Sequence, residues 1–268
     1  SISGVSQEEI DAMKADLAIY VLSRNSGEGK DRTPGAGDYE LSDTEKTAIA
    51  NLANAYGNLI VVLNVGGVID TKFLRAQEGI GAILLMSQAG NIGGDALADV
   101  LTGKVTPSGH LTTTWAENYE DYPNAKTFSY MNGDIHDEYY EEGIYVGYRY
   151  FDTFDVTPAY PFGYGKSYTT FDVKTEEVTA DAKQISVKVR VTNTGTTYSG
   201  KEVVQVYYSA PAGKLEKPYQ ELAAYAKTKE LAPGESEELI ITYPVERMAS
   251  YDAQRASYVL EAGTYYVR

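Results

Sequence analysis

The sequence predicts an α/β domain built on a parallel sheet, followed by an all-β domain, an antiparallel sandwich of immunoglobulin-like type. Two observations carry this expectation. Up to about residue 115 short apolar runs alternate with amphipathic helical segments, whereas from Gln184 onward apolar residues recur at every second position. A third observation agrees: residues 1–165 hold 10 basic and 24 acidic side chains and residues 166–268 hold 13 and 14, so the net charge of −15 lies almost wholly in the first part. A chain of 268 residues is long enough for two domains with separate cores.

The elements of the first domain follow in order. Ser6 and Glu9 form a capping box that starts a helix over Gln7–Ala15, because hydroxyl and carboxylate each satisfy an amide that the helix start leaves unpaired. The apolar run Leu17–Leu22 is a buried strand leading into a Gly-rich loop, Ser23–Tyr39. Ser42 and Glu45 make a second capping box before a helix over Asp43–Tyr56. Leu59–Asn64 is a strand, Asp70–Ala76 a short helix, Ala82–Met86 a strand, and Ile92–Leu101 a helix stopped at Gly103. Such alternation implies a parallel sheet covered on both faces. Three strands are few for a doubly wound domain, so the α/β domain, residues 1–115, is expected to be partial and to lack its first strands.

Residues 116–168 are expected to connect the domains. Within them, Glu117–Glu142 is Tyr-rich and holds one Lys among eight carboxylates, which suits a solvated connection or a wall for a neutral polyol. The sandwich is expected over 169–268. Ile185, Val187, Val189 and Val191 point to one side of a strand, and Val204, Val206, Tyr208 and Leu239, Ile241, Tyr243 repeat the pattern. Turn signals at Asn193-Thr194-Gly195, Pro211-Ala212-Gly213, Pro233-Gly234 and Ala262-Gly263 separate the runs.

Composition removes several classes of function. The negative charge makes nucleic acid and anionic membrane poor partners, and no apolar stretch approaches the roughly 18–20 residues of a membrane helix. With no Cys and two histidines, His110 and His136, neither a thiolate site nor a histidine-rich metal centre is expected, and no cofactor is implied. Gly29-Lys30 runs into Asp31 with no Gly at position 24, so it is no phosphate-binding loop. Gly90-Asn91-Ile92-Gly93-Gly94 lacks the Gly-x-Gly start of a dinucleotide fingerprint, and no Gly-x-Ser-x-Gly elbow is present. His110, after Pro107-Ser108-Gly109, reads as a turn residue.

In a parallel sheet, ligands bind beyond the carboxyl ends of the strands. Three loops lie there: Ser23–Arg32, Val65-Gly66-Gly67 and Ser87–Gly94. The first alone sets a carboxylate, Glu28, between two glycines, Gly27 and Gly29, which leave room for it to project. Taken alone, a Glu in such a loop is ordinarily solvated. Arg24, Asn25, Asp31 and Arg32 either shape this loop or touch substrate, an Arg-carboxylate brace being the favoured role. Gln88 and Asn91 either line the same crevice or hydrogen-bond a helix start.

Several of these stretches together resemble a known family. Asn25-Ser26-Gly27-Glu28-Gly29 with Asp31-Arg32, and Ala96–Gly103 running into Pro107-Ser108-Gly109-His110-Leu111, resemble the α/β sandwich domain of family 3 glycoside hydrolases of the β-glucosidase type. Tyr140–Tyr150, Pro161-Phe162-Gly163-Tyr164-Gly165 and Ser167-Tyr168 are similar to the segment joining that domain to a fibronectin type III-like domain. Glu221-Leu222, Leu231–Glu235 and Gly263-Thr264-Tyr265 fit the latter. Lys30 and Lys166 depart from the family, which often has Tyr and Leu there.

The resemblance implies retaining hydrolysis of terminal β-D-glucosyl residues. Glu28 would be the general acid/base, and an Asp nucleophile would come from a (β/α)8 barrel that this chain does not encode. The barrel precedes these domains in some members and follows them in others. The implied partners are a β-glucoside or oligosaccharide substrate and that barrel, with a homo-oligomer left open. A second reading is a non-catalytic carbohydrate-binding or domain-interaction module using the acidic Tyr-rich segment.

Overall fold

The computed structural model describes residues 6–13, 15–25 and 31–268, and the chain divides into two compact units. The first comprises residues 1–99, 115–139 and 158–160. Its elements are α1 (Gln7–Ala12), β1 (Ala18–Arg24), α2 (Asp43–Tyr56), β2 (Leu59–Val65), α3 (Lys72–Ala76), β3 (Ile80–Leu85), most of α4 (Gly93–Leu101), and the short pair β4 (Trp115–Ala116) and β5 (Pro158–Tyr160). Strands β1, β2 and β3 form a parallel sheet in that order, as the alternation of strand and helix signals predicts.

Both capping boxes form, with Ser6 and Ser42 each accepting from the amide three residues on and Glu9 and Glu45 returning the bond. Helix α1 stops at Ala12, earlier than its periodicity predicts, because Met13 is already extended. Helix α3 starts at Lys72 because the Asp70 carboxylate accepts from the Lys72 amide at 2.8 Å, holding Asp70 in the turn. Strand β3 starts at Ile80, where Ile80 pairs with Leu59 before the register steps past Gly81.

Helix α2 lays Ala48, Ile49, Leu52 and Ala53 against the sheet, where Leu22, Leu59, Val61 and Leu63 are fully buried. Gly57 ends the helix at φ 64°, and Gly79 (φ 85°) passes so near the Ala53 carbonyl that a Cβ would stand 2.5 Å from its oxygen. The opposite side of β1 carries Ile19 and Val21, 46% and 50% exposed. The expectation of a sheet covered on both faces is therefore met on one face of β1 only. Among the described residues no helix is long and apolar enough to cross a membrane.

The second unit comprises residues 100–114, 140–157 and 161–268. After α5 (Tyr148–Thr153) come β6 (Phe171–Ala180), β7 (Gln184–Asn193), β8 (Val203–Ser209), β9 (Glu221–Lys227), β10 (Ser236–Pro244), β11 (Ser250–Asp252), β12 (Ser257–Val259) and β13 (Tyr266–Val267). Two antiparallel sheets, β10-β7-β6 and β13-β8-β9, face each other. Their inward residues, Val187, Val189, Val191, Val206, Tyr208 and Ile241 among them, form one core, which is the period-two pattern made three-dimensional. Helix α5 is bound to this sandwich. The Tyr148 hydroxyl accepts from the Leu222 amide at 2.7 Å, and Arg149 pairs with Glu221 at 3.1 Å.

Candidate active-site loop

Because the three strands are parallel, Arg24, Val65 and Leu85 end them at one edge of the sheet, and the loops that follow leave from that edge. Glu28 lies outside the described residues, as do Ser26, Gly27, Gly29 and Lys30. Both flanks of that stretch are described, and each is anchored.

On the amino-terminal flank, Arg24 is the last residue of β1 and its side chain is almost fully buried. It meets Glu45 in a bidentate pair, Nη1 to Oε1 at 2.7 Å and Nη2 to Oε2 at 2.9 Å. Its remaining hydrogen bonds go to the carbonyls of Ser23 (2.9 Å), Asp38 (2.7 Å) and Glu40 (3.3 Å). A guanidinium removed from water needs this saturation, since each unpaired N–H would cost free energy. Glu45 also closes the capping box of α2 by accepting from the Ser42 amide at 2.8 Å. Burial pushes the Glu45 carboxyl up, but the hydrogen bonds from Arg24 and Ser42 outweigh it and leave its pKa below the usual carboxylate value. One carboxylate thus joins the end of β1, the start of α2 and the returning loop.

On the carboxyl-terminal flank, Arg32 pairs with Asp38 at 2.9 Å, and the Thr33 amide and hydroxyl donate to the same carboxylate at 2.7 and 3.0 Å. Burial opposes ionisation of Asp38, and the Thr33 and Arg32 hydrogen bonds still hold its pKa below the ordinary value. Gly67, in the loop after β2, lies so close that a Cβ would stand 3.5 Å from Arg32 Nε. Asp31 accepts a 2.6 Å hydrogen bond from the Ser129 hydroxyl in the acidic Tyr-rich segment. That segment is tied to α3 at its start, where Arg75 pairs with Glu117 at 2.8 Å and Lys72 donates to Asn118 at 2.8 Å.

The remaining candidates do not join this network. Asn25, Gln88 and Asn91 are exposed, and among the described residues their side chains make no hydrogen bond. Three residues that sequence reasoning passed over complete the site: Asp38, Glu45 and Ser129. Glu45 was visible as a capping residue, but no spacing rule pairs it with Arg24. No group of three or more His, Asp and Glu among the described residues is placed to hold a metal ion.

His110 belongs to the second unit, where its Nδ1 lies 2.8 Å from the Gly163 carbonyl and its Nε2 3.0 Å from Glu202. The Glu202 hydrogen bond, against the opposing effect of burial and with the Gly163 carbonyl helping, raises the imidazole pKa. A raised folded value means that the stabilisation is complete below the unfolded pKa of about 6.5 and is lost as pH rises through the folded value. The melting temperature of the wild-type chain is accordingly expected to fall more steeply than that of His110→Gln as pH rises above about 6.5. Parallel curves for the two proteins would refute the link.

Residues 3–148 match the Glycosyl hydrolase family 3 C-terminal domain, and residues 202–268 match the Fibronectin type III-like domain. β-Glucosidase A of Butyrivibrio fibrisolvens is 42% identical over an alignment covering 95% of this chain and 36% of that protein. A β-glucosidase of Ruminococcus albus is 40% identical, with 95% of this chain and 27% of that protein covered. β-Glucosidase 3B from Thermotoga neapolitana, solved in complex with glucose, superposes with a TM-score of 0.92 at 45% identity, covering 99% of this chain and 37% of that one. The chain therefore spans about a third of the length of such relatives.

Proposed function

Because the chain belongs to glycoside hydrolase family 3, we propose that it is the accessory part of a retaining β-glucosidase, supplying the general acid/base while the nucleophile resides on a (β/α)8 barrel elsewhere in the enzyme. What supports the reading is the loop at the carboxyl end of β1. It carries Glu28 between glycines, and both of its flanks are pinned by Arg-carboxylate pairs, Arg24 with Glu45 and Arg32 with Asp38. A permissive glycine frame lets an acid project, and fixed flanks let it be placed reproducibly.

The chemistry follows from two carboxyl groups in different protonation states. The barrel aspartate, ionised, attacks the anomeric carbon of a terminal β-D-glucosyl residue. Protonated Glu28 gives its proton to the departing glycosidic oxygen, and a glycosyl-enzyme ester forms. Glu28, now a carboxylate, takes a proton from the water that attacks that ester, which restores both groups. Exclusion of water by the bound sugar and the neighbouring nucleophile anion both raise the Glu28 pKa, as the acid step requires.

In this scheme the pure chain by itself releases no p-nitrophenol from p-nitrophenyl β-D-glucoside, while the full-length enzyme does. Turnover by the isolated chain that disappears in Glu28→Gln would refute the division of the two carboxyl groups between separate parts of the enzyme.

A further inference from the structure

Ser129 has a backbone conformation that its side chain disfavours. Its φ is 55°, in the left-handed region, although it is neither glycine nor one of the Asn or Asp residues that tolerate it. Such a residue persists where its surroundings over-determine it, and here they do. The Ser129 amide donates to Glu138 Oε1 at 3.1 Å, closing a turn that is fixed internally by Asn132 donating to the Asp137 carbonyl (2.7 Å) and by Asp134 accepting from the His136 amide (2.8 Å). Its hydroxyl faces the other way and donates to Asp31 Oδ2 at 2.6 Å, the length of a charge-assisted bond, across 98 positions of sequence. Glycine would adopt this φ without strain but could not supply the hydroxyl.

Asp31 stands three positions after Glu28. The Arg24 and Arg32 anchors both draw on the nearby segment 38–45, whereas the Ser129 bond ties the same loop to the acidic Tyr-rich segment. We infer that Ser129 is a positioning residue for the acid/base loop, acting through Asp31 to fix where that loop holds its proton donor. The inference rests on the assignment of Glu28 made above. An acid displaced by a fraction of an ångström still binds substrate but transfers its proton less well, so the loss falls on turnover and on substrates whose leaving group needs the proton.

The test is Ser129→Gly in the full-length enzyme, which keeps the amide and the favoured φ and deletes the hydroxyl alone. Turnover of phenyl β-D-glucoside, a poor leaving group, and of its dinitrophenyl counterpart, a good one, is compared with Glu28→Gln measured alongside. The expected result is a fall in kcat/KM of about 10–100-fold on the phenyl substrate, carried by kcat with KM little changed, a much smaller fall in kcat/KM on the dinitrophenyl substrate, and an unchanged or higher melting temperature. A kcat/KM that is unchanged, or reduced by the same factor, on both substrates, with Glu28→Gln still losing kcat/KM chiefly on the phenyl one, overturns the role of Ser129 and leaves Glu28 in place. A Glu28→Gln enzyme without that selectivity overturns the assignment of the acid itself.

Discussion

Glu28→Ala in the full-length enzyme is expected to lower kcat on phenyl β-D-glucoside by roughly 10²–10⁴-fold, the contribution of a positioned general acid/base. Two features separate this from a mere loss of binding. With a dinitrophenyl leaving group, which departs without a proton, formation of the glycosyl-enzyme survives, and its hydrolysis becomes the slow step. Added azide then restores turnover by attacking the ester as an anion that needs no base, and a β-glucosyl azide accumulates. Were the chain a binding module instead, Glu28→Ala would raise KM with kcat retained, and azide would do nothing. Product analysis with and without azide therefore tests the role, and an azide-insensitive enzyme with normal kcat would remove it.

The largest stability effect is expected at Arg24. Arg24→Met leaves the Glu45 carboxylate buried with only the Ser42 bonds for compensation, at a cost of about 3–5 kcal/mol. Arg24→Met combined with Glu45→Leu removes both charges and is expected to cost less than the single change, because the pair's desolvation penalty goes with it. Trp115, the single tryptophan, is buried in the same unit as both residues, so its fluorescence during urea unfolding reports this unit. A loss below about 1 kcal/mol in Arg24→Met would mean that the Ser42 hydrogen bonds to Glu45 suffice without the ion pair.

The regular elements and the loop that follows β1 were legible because their signals are local. Ser42 and Glu45 are three residues apart, so their reciprocal bonds can be read as a pattern, and helix α2 spans the residues that pattern predicts, Asp43–Tyr56. Alternation in β7 likewise records which side of a strand meets a core. What the sequence could not state is which groups meet across the chain. Arg24 and Glu45 are 21 positions apart and Asp31 and Ser129 are 98 apart, and no periodicity relates them. Those pairings exist because the sheet brings the end of β1 to the start of α2 and because the acidic segment turns back on itself at Ser129. The sequence by itself determined the order of elements, the two kinds of sheet and the glycine-bracketed acid, all consequences of neighbouring residues. Only the tertiary structure decided how the flanks of that acid are held, because hydrogen bonds and ion pairs depend on distance in space rather than along the chain.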